Sequence, residues 1–114
     1  MQELYDCSTK IIMRPHMQVC KKLADGVLHV SIAGKIDTVT APALDRDLQE
    51  DCGAADELVL DFSEVDYISS AGLRILLRLH KRMVQRKGMR IIHANETVRE
   101  VFSITGFVDL FTIE

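Results

Sequence analysis

Between Glu57 and Lys87 the chain changes its hydrophobic period once, and that change restricts the fold more than anything else in it. Leu58-Val59-Leu60-Asp61-Phe62 is a short apolar run of the kind a buried strand carries. After Ile68-Ser69-Ser70-Ala71-Gly72 the apolar residues recur at helical spacing, as Leu73, Leu76, Leu77, His80 and Val84, with Leu79 and Met83 flanking them. The spacing predicts a helix from about Ala71 to Lys87, with basic residues crowding its end and Gly88 as its stop. Met89–Ala94 reads as the next strand. Strand, helix and strand in this order form a crossover unit, which demands a parallel pair of strands covered by the helix.

The flanking segments extend the pattern. Gln18–Leu23 and Val27–Ala33 read as strands joined by the turn signal Ala24-Asp25-Gly26, so a hairpin is expected. A first helix begins after Thr38 or Thr40, with Pro42 in its first turn and Ala43, Leu44 and Leu48 facing inward, and ends near Gly53. Thr97, with Glu100 three residues on, has the spacing of a capping box for a short helix to Thr105, ended by Gly106. Leu110–Ile113 reads as a last strand. The expected order is β-β-α-β-α-β-α-β, a single α/β domain with a mixed sheet packed with helices. Met1–His16, interrupted by Pro15, is weakly periodic and is set apart as an N-terminal extension, with the domain proper over 17–114.

At 114 residues a single core is enough, and 47% hydrophobic with 27% charged residues reads as globular rather than disordered. A net charge of −3 leaves no overall footprint for nucleic acid. No apolar run approaches the ~20 residues that span a bilayer, and the N-terminus lacks the marks of a secretory signal. Cys7, Cys20 and Cys52 are widely spaced and odd in number, which fits reduced thiols in a cytoplasm.

The candidate sites each carry two readings. Ser69 and Ser70 stand where the chain leaves a sheet and enters a helix, among free N–H groups and the positive end of the helix dipole. Ser70 as N-cap is a sufficient structural reason for a serine. The same place also tolerates a phosphoryl group. Asp37, Asp61 and Asp66 read as strand-end acids, either turn residues or phospho-acceptors and metal ligands. Arg74, Arg78, Lys81, Arg82, Arg86 and Lys87 make the second helix basic, either as a solvated face or as an electrostatic rim for an acidic partner. His16, His29, His80 and His93 show no metal spacing, and His80 reads as a core histidine. No glycine-rich phosphate loop, nucleophile elbow or paired catalytic carboxylates appear, so no catalytic residue, cofactor or metal is expected.

Three segments in order carry a family resemblance. Gly34-Lys35-Ile36-Asp37, then Asp61-Phe62-Ser63 through Ile68-Ser69-Ser70-Ala71-Gly72-Leu73, then Asn95–Phe102 with Thr105-Gly106-Phe107 resemble the STAS domain of bacterial anti-sigma factor antagonists. The resemblance implies a protein-binding switch. Its partner would be an anti-sigma factor of kinase-like ATP-binding fold, whose capture frees a sigma factor. That partner or a related kinase would phosphorylate Ser70, and a phosphatase would reverse it. Asp37 matches a polar contact beside the serine, and Asp37, Ser69, Ser70, Ala71, Gly72 and Arg74 are the expected docking residues. Nucleic-acid binding and membrane insertion are not implied.

Two departures stand out. Ser69 replaces an aspartate common in the family, and Ala71 replaces a second hydroxyl. The fold would also suit a STAS subunit of a stress-signalling or lipid-transport assembly, in which Ser70 is only a cap. A phosphoaspartate receiver at Asp61 is a different class. It would need an acidic pair after the first strand and a late strand-end lysine, and the chain has neither.

Overall fold

Asp25 and Gly26 both hold positive φ, 55° and 81°. Two such residues in a row give the backbone twist that closes a two-residue hairpin, and the strands they join are β2 (Met17–Ala24) and β3 (Val27–Ile36). The expected hairpin is therefore present. The computed structural model describes residues 9–114, so the expectations for Met1–Ser8, Cys7 included, lie outside the described residues. The remaining elements are β1 (Thr9–Arg14), α1 (Ala41–Cys52), β4 (Glu57–Ile68), α2 (Ser70–Met83), β5 (Gly88–Ile92), α3 (Glu96–Thr105) and β6 (Thr112–Ile113), with a 3-10 turn at Phe107–Asp109.

The six strands lie side by side in sequence order. β1, β2 and β3 are antiparallel, while β3 to β6 run parallel. The mixed α/β sheet with three helices is the architecture expected, with one addition at its edge. Thr9–Arg14, placed in a weakly periodic extension from sequence, forms strand β1. Arg14 fastens that strand to the body by a two-pronged contact with Asp47 of α1, at 3.0 and 2.7 Å.

Along β3, Leu28, Val30 and Ile32 are buried while His29 and Ser31 are exposed. Leu58, Leu60 and Phe62 of β4 join them in one core with Leu44 and Leu48 of α1, Leu76, Leu79 and Met83 of α2, and Val98 and Phe102 of α3. Phe102 meets Phe62 at 6.4 Å and Phe111 edge-on at 5.9 Å.

Several boundaries depart from the sequence reading. α2 starts at Ser70 and stops at Met83, short of Lys87. Val84 is exposed rather than part of the buried face, which centres on Gly72, Ile75, Leu76, Leu79 and Met83. Arg86 leaves the helix and donates to the carbonyls of Cys52, Gly53 and Ala55 at the end of α1. α3 is capped by Asn95, not Thr97. Its Oδ1 accepts from the Val98 N–H at 2.9 Å, and its Nδ2 donates to the Val65 carbonyl at 2.9 Å. Asparagine satisfies an orphan N–H at the helix start and ties the helix to β4 in one residue. The last strand keeps only Thr112–Ile113 of the run Leu110–Ile113.

Candidate functional site: the helix entrance beside the Asp37 loop

β3 and β4 end together. Ile36 pairs with Ile68, and the Ser69 N–H donates to the Ile36 carbonyl at 2.8 Å. The chain then turns upward on both sides, into the Asp37 loop from β3 and into α2 from β4. The carboxyl ends of parallel strands are the usual place for a site in an open α/β sheet.

Ser69, not Ser70, is the N-cap of α2. It has extended backbone, φ −97° and ψ 177°, and its Oγ accepts from the Gly72 N–H at 3.4 Å. Ser70 is the first residue of the helix and is exposed, and its hydroxyl has no hydrogen-bond partner among the described residues. The two serines divide the roles that the sequence left combined on Ser70.

Gly72 lets the helix sit this close to the sheet. A Cβ there would lie 2.7 Å from both Ile36 Cγ2 and Ile68 Cγ1, and 2.9 Å from the Ile36 carbonyl oxygen. Gly72→Ala is expected to cost about 2 kcal/mol through overpacking. The urea midpoint would fall accordingly, and an unchanged midpoint would refute the close approach.

Asp37 turns back into its own loop. Its Oδ1 accepts from the N–H groups of Val39 and Thr40, each at 3.0 Å, and from the Thr40 hydroxyl at 3.2 Å. Buried Thr40 is fully engaged: its single hydroxyl proton is shared between Asp37 Oδ1 and the nearer Lys35 carbonyl at 2.7 Å, and its oxygen accepts from the Asp37 N–H at 2.9 Å. The Thr40 N–H, assisted by that of Val39 and by nearby His16, holds the Asp37 carboxyl below its ordinary value against the opposing effect of burial. Asp37 thus shapes the loop beside Ser70 rather than bonding to Ser70. The folded value lies below the unfolded one, so the stabilisation is complete above the usual carboxylate range and is lost as pH falls through the folded value. The gap in thermal midpoint between wild type and Asp37→Asn is expected to close on acidification. A gap independent of pH would contradict this.

The other candidates fall away from this end or into structure. Because β4 runs on to Ile68, Asp61 lies within the strand rather than at its end. Burial pushes its carboxyl up, but the Ser63 N–H at 2.9 Å and His93 at 3.4 Å outweigh this and leave it low. Asp66 is exposed on the same strand. Arg78 reaches Asp45 at 3.5 Å and Arg82 reaches Gln49, so with Arg86 they bind α1. Arg74 and Lys81 are exposed and have no partner among the described residues. His80 is half-buried with its ring edge-on to Phe111 at 5.5 Å, but its buried Nδ1 has no partner, so it is not a satisfied core histidine. Burial pushes the Cys52 thiol up to about 11, which keeps it protonated. No group of three or more His, Cys, Asp and Glu side chains suited to a metal occurs among the described residues. Nor does any described helix have the length and apolarity to cross a membrane.

Two exposed apolar residues frame the site and were not singled out from sequence. Val39, 77% exposed, stands in the Asp37 loop, and Tyr67 lies just before the serines. The readable signal was an apolar residue between two threonines in a turn, where burial gives it no purpose.

A family model described as the STAS domain matches residues 18–114. The chain belongs to the STAS domain family. "Putative anti-sigma factor antagonist BtrV" of Bordetella bronchiseptica is 36% identical over 100 residues, covering 85% of each chain. The anti-sigma-B factor antagonist of Bacillus subtilis is 29% identical over 100 residues, covering 86% of this chain and 91% of its own. The crystal structure of an anti-sigma factor antagonist from Mycobacterium paratuberculosis superposes with a TM-score of 0.79 at 29% identity, covering 90% of this chain and 89% of that one. The serine pair and the Asp37 loop therefore stand on the sheet of a STAS domain.

Proposed function

We propose that this STAS domain is an anti-sigma factor antagonist that docks through the Asp37 loop and the start of α2, and that phosphorylation of Ser70 switches it off. The names of its relatives support the antagonist role. The observation that carries the switch is the division between the serines. Ser69 caps the helix, so the Ser70 hydroxyl is exposed and unengaged, and modifying it removes no cap.

The partner is an anti-sigma factor of kinase-like fold that holds ATP. The Ser70 oxygen attacks the γ-phosphorus, its proton passes to a base on the kinase, and ADP leaves. A phosphatase restores the hydroxyl by hydrolysis. The phosphoserine carries about −1.5 to −2 charge, which free N–H groups at a helix start accommodate. At a docked interface the same charge is stripped of water or meets a surface shaped for a neutral hydroxyl, and the partner leaves.

Adding the purified chain to a complex of the anti-sigma factor with its sigma factor tests the antagonist role. Release of the sigma factor in proportion to added chain is expected. A complex that stays intact at excess chain would overturn the proposal.

A further inference from the structure

The flank of α2 that the sequence marks as apolar is only partly covered, with Leu77 and His80 half-buried and Val84 exposed. Leu73, Leu77, His80 and Val84 follow a 4-3-4 spacing, the narrow seam into which a second helix packs. Only Leu73 of the four is buried, and Val84 is 57% exposed. Facing this flank are the end of α3 and the 3-10 turn. Ser70, Leu73, Arg74 and Leu77 on one side and Thr105 and Phe107 on the other enclose an open groove of about 300 Å³. Next in sequence to the lining residues Thr105 and Phe107, Ile104 is 77% exposed and Val108 is exposed, as is Leu110 at the end of the 3-10 turn. Large apolar side chains gathered like this mark an interaction surface more often than chance exposure.

The charges along α2 say what kind of partner fits. Arg78 and Arg82 turn to α1. Arg74, which lines both this groove and the hollow toward α1, and Lys81, one helical turn beyond Leu77, are exposed and have no acidic partner among the described residues. The 3-10 turn adds one acid, Asp109, against these two cations. The rim is therefore basic, although the chain as a whole carries −3.

We infer that this groove receives one amphipathic helix of the anti-sigma partner, apolar toward Leu77, Ile104 and Phe107 and acidic toward Arg74 and Lys81. The inference rests on the function proposed above and extends its contact surface from the start of α2 to the end of α3 and the 3-10 turn. The seam from Leu73 to Val84 is about 16 Å long, which matches three turns of a partner helix. Ser70 lines the mouth of the groove, so a phosphate there would face the acidic helix with charge of the same sign. The switch and the groove then act in the same direction.

Calorimetry with the cognate anti-sigma factor separates the two claims, using Ile104→Asp, Arg74→Glu and Ser70→Asp, each checked for an unchanged thermal midpoint. Ile104→Asp and Arg74→Glu are each expected to weaken binding at least tenfold, and Arg74→Glu also to flatten its dependence on salt. Wild-type affinity in both, with Ser70→Asp weakened, would overturn the groove and leave the proposed function standing. No binding by the unmodified chain would overturn both. Sedimentation that shows the chain alone pairing through this face, with Ile104→Asp abolishing the pair, would overturn the helical occupant in favour of a second copy.

Discussion

Ser70→Asp is expected to weaken binding to the cognate anti-sigma factor about a hundredfold, equivalent to roughly 2.8 kcal/mol, while Ser70→Ala binds as the wild type does. The size follows from the penalty for placing a charge at a docked surface built for a hydroxyl. The asymmetry between complex and free chain follows from the helix start. Ser70 is exposed at the first position of α2, and Ser69 retains the cap whatever stands at 70. A carboxylate in the first helical turn is mildly favourable to the helix dipole. The thermal midpoint of Ser70→Asp is therefore expected to match or slightly exceed that of wild type. Equal affinities of the aspartate and alanine variants would show that the interface does not register charge at this position.

Gly34→Ala is expected to be the most damaging single methyl in the fold, at about 3 kcal/mol. Gly34 holds φ +108°, and a Cβ there would lie 2.2 Å from the His16 carbonyl oxygen. That oxygen already accepts from the Lys35 N–H at 3.0 Å, so the tip of the β1–β2 hairpin is clamped onto the end of β3. Neither backbone can yield without breaking this clamp. The loss is a large share of the roughly 5–15 kcal/mol that holds a small domain together, and a fall in thermal midpoint of roughly 15 °C is expected. Gly88 is the control. Its φ is +98°, but nothing lies within 4 Å of its Cβ position, so Gly88→Ala costs only the backbone strain, about 1–2 kcal/mol. Similar losses at both positions would show that strain alone, not the close approach to His16, explains Gly34.

The alternation of strands and helices was legible because β3 and the first half of β4 keep a clean period against one core. The second half of β4 was not. Its register against β3 shifts twice, between Ser31 and Ala33 and between Gly34 and Lys35, and at each shift β4 carries one residue more than its neighbour. Buried positions then fall at Phe62, Val65 and Ile68, three apart, a spacing that hides a strand. That hidden length places Asp61 inside the sheet and brings Ile68, rather than Phe62, to the strand end. It also moves the cap to Ser69, the residue after Ile68, which keeps extended backbone while the helix begins at Ser70. β1 was obscure for another reason. An edge strand with Pro15 and His16 in its turn carries little alternation, and its attachment depends on Arg14 reaching Asp47 thirty-three residues away. The residues of the proposed docking end were visible as a motif, but the motif could not separate the role of Ser69 from that of Ser70. Only the hydrogen bond to Gly72 does that.

The central claim is that one of two adjacent serines caps and the other switches. Incubating the chain with the cognate anti-sigma kinase and ATP, followed by peptide mass mapping, addresses it directly. One phosphoryl group on Ser70, absent in Ser70→Ala and retained in Ser69→Ala, is the expected result. A phosphoryl group on Ser69, or an unmodified chain after complete incubation with an active kinase, would contradict it.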